Sequence, residues 1–134
     1  MRRNKVMIIA PHMDDEVLGC GGVMCRHKNN KDKVWVVFVA NRAYNHIYSQ
    51  VKSQLQKKHA LRAKKIIKYD EAIFLNLPDE RLDASVQEII IPLEKCIYKI
   101  KPQVVYIPFR GDNNQDHRAV FDALRVVLRP AVAS

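Results

Sequence analysis

The chain has 134 residues, of which 48% are apolar and 28% are charged. This length and composition are typical of one globular domain, and they exclude a mostly disordered chain. No apolar run approaches the ~20 residues of a membrane-spanning helix, and the first apolar stretch is too short for a signal peptide. The three cysteines have no CxxC spacing, which is typical of reduced thiols in a cytoplasmic protein.

The positive charge is concentrated in one segment. The chain carries 23 basic and 14 acidic residues, a formal net charge of +9, and residues 33–69 include many basic residues and no acidic one. A nucleic-acid-binding surface is one interpretation of this segment. However, no aromatic residue is interleaved between Val51 and Lys68 to stack on bases, so we expect a solvated helix face and no nucleic-acid partner.

In chain order, residues 6–10 form a short apolar run ended by Pro11, which predicts a buried strand. Residues 18–28 have a helical pattern, and we interpret the glycines at 19, 21 and 22 as close packing of this helix on a sheet. Cys20 and Cys25, on the same helix, are expected in the core. Residues 33–40 are continuous and rich in valine, as buried parallel strands are.

The second half of the chain continues the alternation. Residues 49–68 predict a long helix whose apolar side is made of Val51, Leu55, Ala63, Ile66 and Ile67. Residues 72–77 and 104–108 predict two more strands. Residues 85–100 predict a helix that the proline at position 92 should kink or restart, and residues 116–128 predict a last helix.

Alternating strands and helices predict an α/β fold: a Rossmann-like three-layer α/β/α arrangement with a mostly parallel sheet, formed by residues 1–134 as a single domain. In such sheets, ligands bind beyond the carboxyl ends of the strands. Two acidic clusters, residues 11–16 and 110–117, directly follow the first and the fourth predicted strands. We therefore expect the two clusters to meet at one edge of the sheet.

The residue types of the two clusters are those of a metal site. His12 and Asp15, three positions apart at a strand-to-helix turn, can both reach one ion, and Asp14 between them can face an open coordination position. The second cluster supplies His117. Two histidines and one carboxylate, with a position left for water, are typical of a catalytic zinc site. Acidic residues at a helix start also stabilise the helix dipole, so spacing alone leaves both interpretations open.

The same clusters resemble the motifs of a known family. Residues 10–22 (APHMDDEVLGCGG) resemble the signature of the PIG-L/LmbE-like de-N-acetylases, usually AHPDDE or PHPDDE followed by a glycine-rich helix start. Residues 111–120 (GDNNQDHRAV) resemble the second family motif, often HPDHRAV, or DxNxDHR in one branch. Residues 75–83 (LNLPDERLD) resemble the segment between them, and order and spacing agree over residues 5–130.

The resemblance implies a zinc-dependent enzyme that removes acetyl from an N-acetylglucosamine-type sugar conjugate. It implies one Zn2+ per chain, held by His12, Asp15 and His117, with Asp14 as the general base that activates water. Asp116 is implied to act in catalysis by orienting a neighbouring group. The candidate substrate-binding residues are Arg42, Asp79, Arg110 and Asn114.

The chain departs from the family pattern in three respects. Asn114 stands where the HPDH form has a histidine that serves as general acid, so we expect Asp14 to return the proton to the leaving amine. Met13 replaces a proline without removing a ligand. The family extends beyond the end of this chain, so the domain is expected to be short at its carboxyl terminus, with an exposed sheet edge that favours a homo-oligomer.

Two other functions remain open at this point. One is a non-catalytic remnant of the same fold that binds a metal or an anion and turns nothing over. The other is a metal-dependent phosphoesterase, which would need a second carboxylate set, and Glu16 with Asp112 is the candidate.

Overall fold

The alternating pattern folds into one parallel sheet with helices on both faces. A computed structural model describes residues 3–13, 15–41, 50–78, 82–84, 86–109, 111 and 113–129. Within these residues, the strands are β1 (Lys5–Ala10), β2 (Lys33–Asn41), β3 (Glu71–Pro78) and β4 (Val104–Tyr106). The helices are α1 (Asp15–Asn29), α2 (Gln50–Ile67), α3 (Val86–Ile100) and α4 (Gln115–Val127), with a short 3-10 helix at Leu82–Ala84.

The strand order is β3-β2-β1-β4, and every pair is parallel. The chain runs outward from β1 to β3 and then crosses back, so that β4 pairs with the other side of β1, with Val6 opposite Val104 and Ile8 opposite Tyr106. Strand order therefore reverses between β1 and β4. This is the switch point at which open parallel sheets bind ligands.

Two apolar layers cover the sheet. On one face, Met7 and Val37 pack with Leu93 of α3 and Leu124 of α4. On the other face, Ile8, Val36 and Phe38 pack with Met24 of α1 and Ala60 of α2. β1 and β2 are buried on both faces because they lie in the middle of the sheet, which explains their uninterrupted apolar sequences. The structure thus confirms the three-layer α/β/α expectation.

The orientation of α2 differs from the prediction. Ala60 is 3% exposed and faces the sheet, whereas Ile66 and Leu55 are 81% and 49% exposed. At about 100° per residue, Ile66 points roughly 120° away from Ala60, so both cannot face the sheet. Ile67, another residue of the predicted apolar side, does pack on the cluster that contains Ala60. The prediction was therefore wrong for Leu55 and Ile66 and correct for Ile67.

Several local expectations also need correction. α1 begins at Asp15, three residues earlier than predicted, and its first turn therefore contains Asp15 and Glu16, where acidic residues are favourable. A methyl group added at Gly19 or Gly22 would meet nothing within 4 Å, so close packing does not explain these glycines. Cys25 is exposed rather than in the core.

The third helix and the fourth strand also differ from expectation. Pro92 was expected to kink or restart α3, and the helix continues through it without a restart, with Ile89 and Leu93 on either side buried in the core cluster. β4 ends at Tyr106, two residues earlier than predicted. Among the described residues, no helix has both the length and the apolar character needed to cross a membrane.

Candidate metal centre and active-site cleft

The turn between β1 and α1 brings the first two candidate ligands together. Two backbone hydrogen bonds hold this turn. The Asp15 N–H donates to the His12 carbonyl (3.3 Å), and the N–H of Ala40, near the end of β2, donates to the Pro11 carbonyl (2.9 Å). The His12 N–H donates in turn to Asp15 Oδ2 (2.8 Å). The Asp15 carboxylate consequently folds back over the turn, and its Oδ2 lies 3.3 Å from His12 Nδ1.

The start of α4 supplies the third candidate ligand. Asn114 is the N-cap of this helix, and its side-chain oxygen accepts hydrogen bonds from the backbone N–H groups of Asp116 (2.9 Å) and His117 (3.3 Å). Asparagine is among the preferred N-cap residues because it satisfies backbone donors that the helix leaves open. The cap places Asp116 and His117 in the first turn, at the carboxyl end of the sheet.

The three candidate ligands converge across the switch point. His117 Nε2 lies 3.1 Å from Asp15 Oδ2, and the His12 and His117 rings are 5.4 Å apart. One ligand atom from each of His12, Asp15 and His117 lies within 4.8 Å of the others. Because β1 and β4 are neighbours, two clusters that are distant in sequence form one group of two imidazole nitrogens and one carboxylate oxygen.

A buried carboxylate orients His12. His12 Nε2 lies 2.8 Å from Asp116 Oδ2, and the two residues are 2% and 1% exposed. The other oxygen of Asp116 accepts the backbone N–H of Leu82 (3.1 Å), which anchors the carboxylate to the short 3-10 helix. An imidazole that donates through Nε2 to a carboxylate presents Nδ1 as an electron-pair donor, the arrangement that supports metal-bound histidines.

The environment of Asp15 favours its charged form. Burial opposes ionisation, but the hydrogen bond with His12 and the charge of His117 outweigh it and hold the pKa of the Asp15 carboxyl below its usual value. A carboxylate must be deprotonated to bind a metal. Asp15 therefore meets this requirement at neutral pH.

A cleft of about 370 Å³ opens beside the group. Asp15 and His117 line it, together with Gly19 and Cys20 of α1. An apolar wall is contributed by four residues of β4 and the chain after it: Tyr106, Ile107, Pro108 and Phe109. This wall was missed from sequence because the apolar residues after position 106 were assigned to the interior of a strand. The sequence feature that could have revealed this wall is the apolar run directly before the second acidic cluster.

Most of the other predicted site residues cannot be placed relative to this group, since only Asn114 falls within the described part of the chain. The general base Asp14 and the substrate candidates Arg42, Asp79 and Arg110 lie outside the described residues. Asn114 is described, and its side-chain oxygen caps α4.

Of the carboxylate pair of the phosphoesterase alternative, only Glu16 falls within the described part of the chain. Glu16 is buried, and its charge contributes with burial to a raised pKa of Tyr69. Asp112 lies outside the described residues.

Comparison with solved structures shows the fold. The N,N'-diacetylchitobiose deacetylase of Pyrococcus horikoshii matches with a TM-score of 0.81 at 22% identity, over 92% of this chain and 49% of that one. The 4-carboxy-2-hydroxymuconate hydratase GalB of Pseudomonas putida also matches with a TM-score of 0.81, at 16% identity, over 92% of this chain and 55% of that one. The chain thus spans about half the length of these proteins. Because a deacetylase and a hydratase share the fold, the fold alone does not select the reaction.

Sequence comparison is more specific. The protein named uncharacterized deacetylase YaiS, from Escherichia coli, is 29% identical over 135 residues, covering 96% of this chain and 70% of that protein. The family model described as GlcNAc-PI de-N-acetylase matches residues 7–128, which include most of β1, both acidic clusters and α4. The two motifs and this match over most of the chain agree, and the chain therefore belongs to the PIG-L family of GlcNAc-PI de-N-acetylases.

Proposed function

We propose that this chain is a zinc-dependent deacetylase that removes the acetyl group from an N-acetylated amino sugar conjugate of the N-acetylglucosamine type. The convergence of His12, Asp15 and His117 at the switch point of the sheet carries this proposal. The family description, a relative named as a deacetylase and a structural neighbour named for an N-acetylated sugar support it. The proposed substrate is a small sugar conjugate, and the proposed location is the cytoplasm.

The donor set fits zinc. Two imidazole nitrogens and one carboxylate oxygen are a common ligand set of catalytic Zn2+. Tetrahedral bonds of ~2.0–2.2 Å separate neighbouring ligand atoms by roughly 3.3 Å, and Asp15 Oδ2 lies 3.3 Å from His12 Nδ1 and 3.1 Å from His117 Nε2. We propose one Zn2+ per chain, held by these three residues.

The proposed chemistry is hydrolysis of a linear amide. Zinc bound by this set supplies Lewis-acid chemistry, which acidifies a water molecule and polarises the amide carbonyl. Asp14 accepts the proton of the attacking water and returns it to the sugar nitrogen as the C–N bond breaks, so that acetate and a free amine leave. The asparagine at position 114 cannot act as a general acid. In this proposal Asp14 therefore serves as both general base and general acid.

Positioning is the proposed role of the surrounding residues. Asp116 keeps the His12 ring in the orientation that directs Nδ1 towards Asp15. The apolar wall of the cleft, from Ile107 to Phe109, offers a surface for the apolar face of a sugar or for its conjugate. Arg42, Asp79, Arg110 and the amide group of Asn114 remain the proposed contacts to sugar hydroxyls and to the carbonyl.

Metal content and acetate release test the proposal together. The purified chain, supplied with zinc and dialysed, is expected to retain about one zinc per chain and to release acetate from a panel of N-acetylglucosaminides. His117→Ala should lose the zinc, and Asp14→Asn should keep the zinc and lose the activity. Glu88→Gln, which removes an exposed carboxylate of α3, is the matched control and should change neither.

Each alternative predicts a different result. Zinc bound without acetate release from any substrate would indicate the non-catalytic remnant. Release of phosphate from phosphate esters would indicate the phosphoesterase. A folded chain that binds no zinc would overturn the proposed site.

A further inference from the structure

The amino-terminal end of the sheet carries a second cavity, and we propose that it binds an organic anion with two or more negative charges on an apolar body. This cavity, here called the lysine cavity, has a volume of about 620 Å³ and is larger than the active-site cleft. It lies between the first residues of β1, β2 and β3 and the carboxyl-terminal half of α3. Its volume falls within the ~300–1,000 Å³ of small-molecule sites.

The lysine cavity is separate from the candidate metal centre. Lys5 is the first residue of β1, whereas His12 follows the last residue of the same strand. Six residues of β-strand span ~20 Å. A ligand in the lysine cavity therefore cannot be part of the proposed deacetylase site, and this proposal does not depend on the deacetylase function.

The charges around the cavity are strongly unbalanced. Four lysines and one acidic residue line it: Lys5, Lys33, Lys95, Lys99 and Glu71. The acidic group is already engaged, because Glu71 Oε2 accepts the indole N–H of Trp35 at 2.8 Å. The lining thus carries a surplus of three positive charges, counted as four lysines less one glutamate.

Each of the four lysines has an identifiable neighbour in the structure. Lys33 Nζ lies 4.8 Å from the centre of the Trp35 ring. Lys5 Nζ donates to the Ile100 carbonyl at 3.2 Å, where it offsets the negative end of α3. Lys99 lies one helical turn after Lys95 on α3, and like charges at this spacing destabilise a helix.

A bound anion would turn this repulsion into attraction. The four ammonium groups border one concave, partly apolar surface, which strengthens their combined potential. By contrast, the exposed lysines of α2 are spread along a solvated helix and line neither of the two cavities.

The rest of the lining selects an organic ligand over an inorganic ion. Trp35, Ile73, Cys96 and Ile100 make the apolar part of the surface. A sulfate or phosphate ion would leave this apolar surface exposed to water, and a neutral apolar molecule would leave the surplus positive charge of the lining without a counter-charge. A molecule that combines an apolar body with at least two anionic groups satisfies both parts.

Naphthalene-1,5-disulfonate is a suitable probe, because it carries two anions on a rigid apolar body. We expect saturable binding of one probe per chain by calorimetry. The chain contains a single tryptophan, so its indole N–H gives one amide-correlation NMR signal, which should shift as the cavity fills. Zinc-loaded and zinc-free protein should behave alike, so a failed deacetylase assay would leave this result interpretable.

Variants and matched ligands decide the outcome. Lys95→Gln with Lys99→Gln should weaken binding about tenfold or more, because each lysine provides a charge-assisted contact. Lys58→Gln with Lys65→Gln on α2 removes the same charge and should leave binding unchanged. The proposal is overturned by absence of binding, by equal weakening in both double variants, or by sulfate and neutral 1,5-dihydroxynaphthalene binding as well as the disulfonate.

Discussion

Replacement of Asp116 by asparagine is the sharpest test of how the candidate metal centre is supported. The carboxylate accepts from His12 on one oxygen (2.8 Å) and from the Leu82 N–H on the other (3.1 Å). Asparagine has one acceptor oxygen, so one of these two donors would face an amide NH2 group in a buried position. The negative charge that supports the His12 ring is lost as well.

The expected size of the effect follows from these contacts. Partners that orient metal-bound histidines are worth about 10–100-fold in metal affinity, or roughly 1.4–2.7 kcal/mol. Leaving a buried donor unsatisfied also costs about 1–3 kcal/mol of folding stability. We therefore expect Asp116→Asn to weaken zinc binding by one to two orders of magnitude and to lower the free energy of unfolding of the metal-free protein.

Competition with a chromophoric chelator measures the zinc affinity, and urea unfolding of the metal-free protein measures the stability. Glu88→Gln makes the same amide-for-carboxylate exchange at an exposed position and should have wild-type affinity. If Asp116→Asn binds zinc as tightly as the wild type while His117→Ala does not bind it, the contact between Asp116 and His12 does not support the site, and the reasoning fails.

Three further predictions concern stability. Leu124→Ala empties a fully buried position between α4 and the sheet and should cost about 2–5 kcal/mol in urea unfolding; a loss below that range would mean that α4 is loosely packed. Gly22→Ala meets no neighbour within 4 Å and should stabilise α1 by about 0.5–1 kcal/mol, and destabilisation would contradict the open surroundings of this glycine. Burial opposes ionisation of Asp70, but hydrogen bonds from Lys28 and the Val34 N–H hold its pKa below the usual value of an aspartate. Its folded-state pKa is thus lower than its unfolded-state pKa, so its stabilisation is present above about pH 4 and is lost as the pH falls through the folded-state pKa. Asp70→Asn should flatten the fall in stability as the pH drops below about 4, and an unchanged slope would rule this contribution out.

Much of the fold follows from local patterns. Central parallel strands are buried on both faces, so β1 and β2 are nearly uninterrupted apolar runs that can be recognised without a structure. The residues directly after such strands must lie at the carboxyl edge of the sheet. For this reason the two acidic clusters could be assigned to one edge from sequence, and their resemblance to the PIG-L motifs agrees with the family match.

Other features depend on packing that no local pattern encodes. The apolar residues of α2 are compatible with more than one rotation of the helix about its axis, and contact with the sheet selects Ala60 over Ile66. β4 stops at Tyr106 and leaves the following apolar residues to form the wall of the cleft. The rotation of α2 and the end of β4 could each differ without any change in which residues are apolar. Composition and periodicity therefore do not reveal them.

Sequence was sufficient to nominate the chemical groups of the candidate site, because the spacing of histidine and aspartate permits a metal site and the resemblance to the PIG-L motifs favours it over simple helix capping. Their meeting required the tertiary structure. His12 and Asp116 are 104 positions apart, and they touch because the chain crosses from β3 back to the free side of β1. An order with β4 beside β3 would separate the two clusters. The lysine cavity also required the tertiary structure. Its residues come from three strands and one helix, and they meet only because the carboxyl-terminal half of α3 lies beside the amino-terminal end of the sheet.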